Sequence, residues 1–322
     1  MVPPSRPRAA QESAAIRLFL ALSPRLPWVA QPDPPDDLRP YEDISVQRVG
    51  GQGELSATWY PAGKAREGAR GGVLLLPPWL PWGRSYFHRR NRIETLRAAG
   101  YHALTLDLPR RARGTSGFFD LDVEAGLAEL RRRTGSLPLH IWGVSAGGYW
   151  AHPVLARTNG VAGAFFEDVA PHLLEWSWRV APLGRPFYLF YQHVLRSAYR
   201  YLDMRRHAEA FTLRAVTYVG GANDPGVRPA DTRELAARAR GRFHIVDQAG
   251  HLDSIKLARR EVLALALDTF AKAEEGLPPP PPLTKLRVGP EASVAVQRSS
   301  RSHACPEPFA VPFSSPSLSR SS

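Results

Sequence analysis

Cysteine is almost absent. The 322 residues hold one, Cys305, in a polar C-terminal stretch. A single thiol excludes a disulfide framework within the chain and a cysteine metal cluster, and it favours a cytoplasmic protein. No apolar run approaches the roughly 18 residues that a membrane-spanning helix needs. Acidic residues are scarce beside basic ones, 30 Asp and Glu against 42 Lys and Arg, for a net charge of +12. No nucleic-acid fold signature accompanies that charge, and no basic cluster is interleaved with stacking aromatics, so nucleic acid is not read as a partner. The arginines are read as spread over a solvated surface, with an attraction to anionic substrates or membrane surfaces left open. A well-formed secretion signal is also missing. Arg6 and Arg8 precede the apolar stretch 14–22, but Arg17 interrupts it and Ser23-Pro24-Arg25 follows without a small-residue cleavage site. An amphipathic helix packed on the main domain is the better reading of that stretch.

What is present is enough for one large domain. Proline, at 31 residues, is concentrated at the two ends. Residues 1–40 form an N-terminal extension closed by PDPPDDLRP. Residues 41–274 form the main domain. Residues 275–322 begin Glu-Gly-Leu, pass through five prolines at 278–282 and continue as Ser/Pro/Arg-rich sequence without apolar periodicity, which predicts a disordered tail.

Within the main domain, strand-like and helix-like segments alternate. Residues 44–49 and 55–60 read as a hairpin around Gly50-Gly51-Gln52-Gly53. Strands are expected at 72–76, 101–106, 137–142, 162–166, 213–219 and 242–246, and helices at 85–99, 121–133, 146–157, 229–238 and 253–272. Such alternation predicts a mostly parallel sheet with helices on both faces. The pattern breaks at about 169–211, a segment rich in Trp, Tyr and Phe with scattered arginines. An insertion after a strand's carboxyl end lies over the ligand crevice of such a sheet, so this segment is read as a helical cap.

The chemistry-bearing motif is Gly143-Val144-Ser145-Ala146-Gly147-Gly148, between the strand LPLHIW and the helix AGGYWAHPVLA. A G-x-S-x-G alone recurs by chance, and its position at a strand-to-helix turn is what gives it weight. A tight turn there holds the serine hydroxyl clear of both elements, and glycines on either side let strand and helix approach closely. The bland alternative is a glycine-rich turn with Ser145 as a helix cap. From residue 41 to about 273 the chain resembles the α/β-hydrolase superfamily, and this elbow carries the resemblance. The resemblance implies an α/β-hydrolase fold and a nucleophile, acid and histidine in that chain order.

Three residues fit the order. Ser145 is followed by Asp224, in YVGGANDP beyond a strand's end, and by His251, in VDQAGHLD between the last strand and the last helix. A histidine suits a general base because its ordinary pKa near 6.5 lets it take and return a proton at neutral pH. Asp168, after the preceding strand, is the rival for the acid, and Asp253 reads as a helix cap. His88, His140 and His172 have no comparable context. The resemblance places two oxyanion donors on backbone N–H groups, those of Ala146 and, from the loop after GVLLL, of Trp79. This loop departs from the family: Pro77-Pro78 stand where His-Gly is usual, and proline has no N–H to donate. In the family's segment after the next strand, Asp107 and Arg113-Gly114 shape a turn. The run Phe87-His88-Arg89-Arg90-Asn91-Arg92 is read as a solvated face or a contact for an anionic substrate.

The expectation is a serine hydrolase acting on carboxylic esters through an acyl-enzyme, without a metal or cofactor. Trp82, Trp176 and Trp178 are candidate substrate-binding residues, and the aromatic cap points to an apolar acyl substrate. Peptide, thioester or lactone hydrolysis and acyl transfer on the same fold stay open. So does a catalytically silent binding protein built on it. The sequence carries no reading of oligomeric state.

Overall fold

A computed structural model describes residues 33–49, 53–63, 68–78, 83–107, 119–180, 184–194 and 196–277. The stretch 14–22, the tail beyond 277, Trp79, Trp82 and Arg113-Gly114 lie outside the described residues.

Among the described residues, eight strands form one sheet. They are β1 (Glu42–Gln47), β2 (Glu54–Tyr60), β3 (Gly71–Leu76), β4 (Tyr101–Leu106), β5 (Leu139–Val144), β6 (Gly163–Glu167), β7 (Ala215–Gly221) and β8 (Arg242–Val246). Their spatial order is β1-β2-β4-β3-β5-β6-β7-β8. β1 and β2 pair antiparallel, as do β2 and β4, and all later neighbours pair parallel. The alternating strand and helix pattern of the sequence therefore does build a mostly parallel sheet.

The apolar run GVLLL explains how the sheet is buried on both faces. Successive side chains on a strand point to opposite sides. Leu74 and Leu76 join a core with α2 (Asp120–Thr134) and α3 (Ala146–Leu155), through Val123, Leu130 and Tyr149. Val73 and Leu75 join the other core, with α1 (Arg92–Ala98) and α10 (Arg259–Glu274), through Ile93, Val262 and Phe270. A strand apolar at every position is what a doubly covered parallel sheet requires.

Between β6 and β7 run four helices, α4 (Leu173–Val180), α5 (Gly184–His193), α6 (Arg196–Tyr201) and α7 (Met204–Ala208). The remaining helices among the described residues are α8 (Pro229–Arg238), after β7, and the short α9 (Ser254–Leu257), before α10.

The expected helix 85–99 is instead a short 3-10 turn, Gly83–His88, followed by α1. Arg90 and Asn91 adopt left-handed backbone (φ 64° and 59°), which breaks the helix between them. The solvated-face reading of 87–92 is overturned at its ends. Phe87 and Arg92 are fully buried, and His88 is buried against the Tyr60 hydroxyl at 2.7 Å. Arg92 donates to Glu167, the last residue of β6, at 3.2 Å, and Trp142 of β5 donates to the same carboxylate at 2.7 Å. A buried pair of this kind gains little net stability over an apolar replacement, yet losing one partner strands the other charge. Its role is positional, fixing α1 to the carboxyl ends of β5 and β6.

Candidate active site

The strand order reverses on either side of β3, which has β4 on one flank and β5 on the other. Open α/β sheets bind ligands outside the carboxyl ends of the strands at such a switch point. Both the loop from Pro77 and the turn at Ser145 leave the sheet there, with Leu76 paired to Gly143.

Ser145 is the residue between β5 and α3, and its backbone is strained, with φ 48° and ψ −114°. A conformation of that kind in a non-glycine residue costs about 1–3 kcal/mol and persists only where the surroundings over-determine it. The surroundings do so here. The Ser145 N–H donates to the carbonyl of Glu167 on β6 at 2.8 Å, and its own carbonyl accepts from Tyr149 in the first turn of α3, also at 2.8 Å. A Cβ on Gly143 would stand 2.5 Å from the Cα of Gly148, and one on Gly147 would collide with the Leu76 carbonyl. Both glycines are therefore required by the closeness of the turn. Ala146 opens α3, where the first N–H groups have no partner inside the helix.

The Ser145 Oγ and His251 Nε2 are 3.0 Å apart. On the far side of the ring, His251 Nδ1 and Asp224 Oδ2 are 2.6 Å apart. The other Asp224 oxygen accepts from the backbone N–H groups of Gly226 and Val227 at 2.8 and 2.9 Å, so the buried carboxylate is held on both sides. The loops carrying acid and histidine are tied together, since Asn223 donates its N–H to the Ala249 carbonyl at 2.8 Å. Gly221 permits this approach, because a Cβ there would strike that same carbonyl.

Burial works against a charged His251, but the hydrogen bond and negative charge of Asp224, backed by the charge of Asp168, outweigh it. Its pKa is raised above the ordinary histidine value. With Nδ1–H donated to Asp224, Nε2 carries the lone pair that faces the serine hydroxyl.

Asp168, the rival acid, does not reach the imidazole. Its Oδ2 accepts from the Leu252 N–H, one residue beyond His251, at 2.9 Å. Its Oδ1 is buried with no hydrogen-bond partner among the described residues. Burial pushes its carboxyl up to about 7, against the opposing pull of His251. Asp168 and Leu252 both take left-handed backbone, φ 52° and 64°, so strain collects at Ser145 and beneath His251 alike. Sequence reasoning did not anticipate this bond, whose partners lie 84 residues apart. The left-handed aspartate at a strand end has no local signature.

Of the three aromatic candidates, Trp176 comes to the site. Its ring centroid is 6.3 Å from that of His251, and its indole packs so closely on Gly226 that no Cβ would fit. Trp178, two residues along the same helix, is 42% exposed and contacts the Tyr188 ring and the Arg185 guanidinium. Asp107 accepts from the Arg84 N–H at 2.6 Å, which anchors the chain emerging from the loop after β3. Asp253 precedes α9 but makes no side-chain cap to it. Among the described residues, no group of His, Cys, Asp and Glu is arranged to hold a metal ion. No described helix is long and apolar enough to cross a membrane.

No family model matches the chain, and no curated protein matches it in sequence. Solved structures do. An esterase from Pyrococcus furiosus aligns with a TM-score of 0.60 at 20% identity, over 76% of this chain and 96% of its own. A thermostable carboxyl esterase from Bacillus coagulans aligns with a TM-score of 0.55 at 14% identity, over 72% of this chain and 98% of its own. The acylaminoacyl peptidase of Pyrococcus horikoshii gives 0.56 at 12% identity, but only 41% of that longer chain is covered. Together with the strand order, these likenesses show that the protein has the α/β-hydrolase fold.

Proposed function

We propose that this protein is a serine hydrolase that cleaves carboxylic esters through a covalent acyl-enzyme. The reading rests on one observation above the others. Ser145, His251 and Asp224 form a continuous hydrogen-bonded chain, with links of 3.0 and 2.6 Å, at the switch point of the sheet. A serine hydroxyl is a poor nucleophile unless a base takes its proton as it attacks. In the proposed reaction Ser145 Oγ attacks the ester carbonyl carbon while His251 Nε2 accepts the proton. The carbonyl oxygen becomes an oxyanion facing the N–H groups of Ala146 and Trp79. As the tetrahedral adduct collapses, the alkoxy group leaves with the proton from His251, and Ser145 retains the acyl group. Water then repeats the sequence, giving up a proton to His251, and the acid departs with Ser145 restored. Asp224 holds the imidazole in the required tautomer and stabilises the transient imidazolium.

The assignment of the acid to Asp224 is favoured by its direct bond to the ring, whereas Asp168 meets the backbone after it. The second oxyanion donor is inferred from sequence position alone, since Trp79 lies outside the described residues. One such donor is worth about 2.7–4 kcal/mol of transition-state stabilisation. Trp176 beside His251 favours an apolar group in the crevice, so small-molecule esters precede peptides as the proposed substrates.

Rapid mixing with p-nitrophenyl butyrate tests the reading. Nitrophenol should appear in a burst matching the enzyme concentration, and Ser145→Ala should abolish both burst and turnover while melting near the wild-type temperature. Turnover surviving in Ser145→Ala would refute it. Folded wild-type protein that hydrolyses no member of an ester and peptide panel would favour the silent binding protein instead.

A further inference from the structure

A helix lying on a domain surface ordinarily turns its apolar stripe inward and its charged face to water. Helix α5 departs from this rule. Tyr191 is buried, but Leu189, Phe190 and Val194 are 43%, 45% and 63% exposed. Phe190 and Val194, the residue just past the helix end, are four apart and share a side, and Leu189 lies about a third of a turn round from Phe190, so the exposed apolar surface is broad. Trp178 and Val180 of α4 are similarly exposed, and Trp178 contacts Tyr188 of α5 with ring centroids 5.8 Å apart. Five of the eight large apolar side chains exposed among the described residues thus belong to this one stretch of chain. The other three, Val49, Phe243 and Leu257, are scattered through the rest of the chain.

The charge carried by this stretch of chain is of one sign, and of its arginines Arg179 is paired with Glu175 and Asp231. From Trp176 to Leu202 the sequence contains four arginines and no aspartate or glutamate. Arg185 lies over the Trp178 ring at 5.8 Å, and Arg196 and Arg200 are exposed. None of these three pairs with a carboxylate among the described residues. The acid that precedes the stretch, Glu175, is engaged by Arg205 and Arg179. Aromatic and aliphatic side chains bordered by arginine, without acidic residues, are the composition of a helix that settles into the headgroup region of an anionic bilayer. A protein partner of ordinary polarity would leave this one-signed rim unmatched.

We propose that the outward face of α4 and α5 is a docking surface for an anionic lipid membrane. Leu189, Phe190, Val194 and Trp178 enter the boundary between headgroups and acyl chains, and Arg185 and Arg196 meet the phosphates. The surface is distinct from the catalytic residues but mechanically close to them. Helix α4 carries Trp178 on the exposed side and Trp176 beside His251. Docking therefore places α4 between the lipid phase and the crevice. The inference does not require Ser145 to be a nucleophile.

Vesicle co-sedimentation of the full chain tests it. The wild type should partition at least about tenfold more strongly onto phosphatidylcholine vesicles containing a third phosphatidylglycerol than onto pure phosphatidylcholine, and less as salt rises. Leu189→Ser/Phe190→Ser should lower that partition about tenfold, and Arg185→Gln/Arg196→Gln several-fold, with hydrolysis of a soluble short-chain ester unchanged. Ser145→Ala should bind as the wild type does, which separates this proposal from the catalytic one. Three results would overturn it. One is no binding to either vesicle at low salt, and another is binding that both double variants retain. The third is a dimer in sedimentation that Leu189→Ser/Phe190→Ser dissociates, which would make this face a self-interface.

Discussion

Asp224 and Asp168 are both buried near His251, and their partners separate their roles. Asp224 bonds the ring, while Asp168 bonds the backbone after it. Asp224→Asn should reduce kcat by roughly 10⁴, as loss of the orienting acid does where geometry is kept. Asp168→Asn keeps an oxygen for the Leu252 N–H and should cost less than about tenfold, read in the same steady-state assay. The opposite ranking would move the acid to Asp168. In the proposed reaction the raised His251 pKa sets the acid side of the pH profile, because only the neutral ring can accept the Ser145 proton. The log of kcat/KM should therefore rise with pH and level off above the ordinary histidine value near 6.5. Asp224→Asn removes the largest favourable contribution to the imidazolium and should shift the remaining rise to lower pH. The linkage to stability runs in the opposite sense. A histidine raised in the folded state adds stability that is fully present below its unfolded pKa and is lost as pH climbs through the folded value.

Elements explain why the site was partly legible in advance. The elbow is a local device whose strand, turn and helix follow one another in sequence, and Gly143 is forced by Gly148 five residues on, whereas Gly147 is forced by a neighbouring strand. Gly147→Ala would drive a methyl group into the Leu76 carbonyl at the end of β3. Overpacking of this kind against backbone should destabilise by about 1–3 kcal/mol or more in urea unfolding, and activity should fall with the displaced Ser145. An unchanged midpoint and rate would contradict the tight-turn account. The places where sequence reading failed are those where distant elements override local pattern. Residues 87–92 look like an exposed basic stretch, yet Arg92 is drawn inside by Glu167, 75 residues away. Trp176 and Trp178 are indistinguishable in sequence, and only the packing of α4 on the acid loop sends one to His251 and the other outward. The final helix, expected at 253–272, is split at Ala258 into α9 and α10, because Ala258 leaves the helical backbone range at φ −121° and ψ 43°.

For the molecule as a whole, the sheet at β3 to β8 is the frame on which every proposed catalytic group is hung. Helix α10 continues to Glu274, whose carboxylate meets buried His140 at 3.0 Å and Arg70 at 2.8 Å. The edge of the folded unit therefore lies past the last apolar residue of the helix. Truncation after Leu277 should leave kcat/KM and melting temperature unchanged. Truncation after Ala273, which removes Glu274, should lower the melting temperature by a few degrees while sparing kcat/KM. Loss of activity in soluble protein ending at Leu277 would give the C-terminal segment a role that its composition does not suggest. Across the crevice, p-nitrophenyl esters of rising chain length test the apolar lining. Octanoate should exceed acetate in kcat/KM, and equal efficiency would remove Trp176 as a specificity contact.

The central claim is that His251 makes one hydroxyl, that of Ser145, nucleophilic. Peptide mass spectrometry after treatment with a fluorophosphonate tests it most directly. The label should appear on the Ser145 peptide of the folded wild type, be absent from Ser145→Ala, and form at least about 10³-fold more slowly in His251→Ala. A folded wild type that stays unlabelled, or label on another residue that persists in Ser145→Ala, would contradict the account.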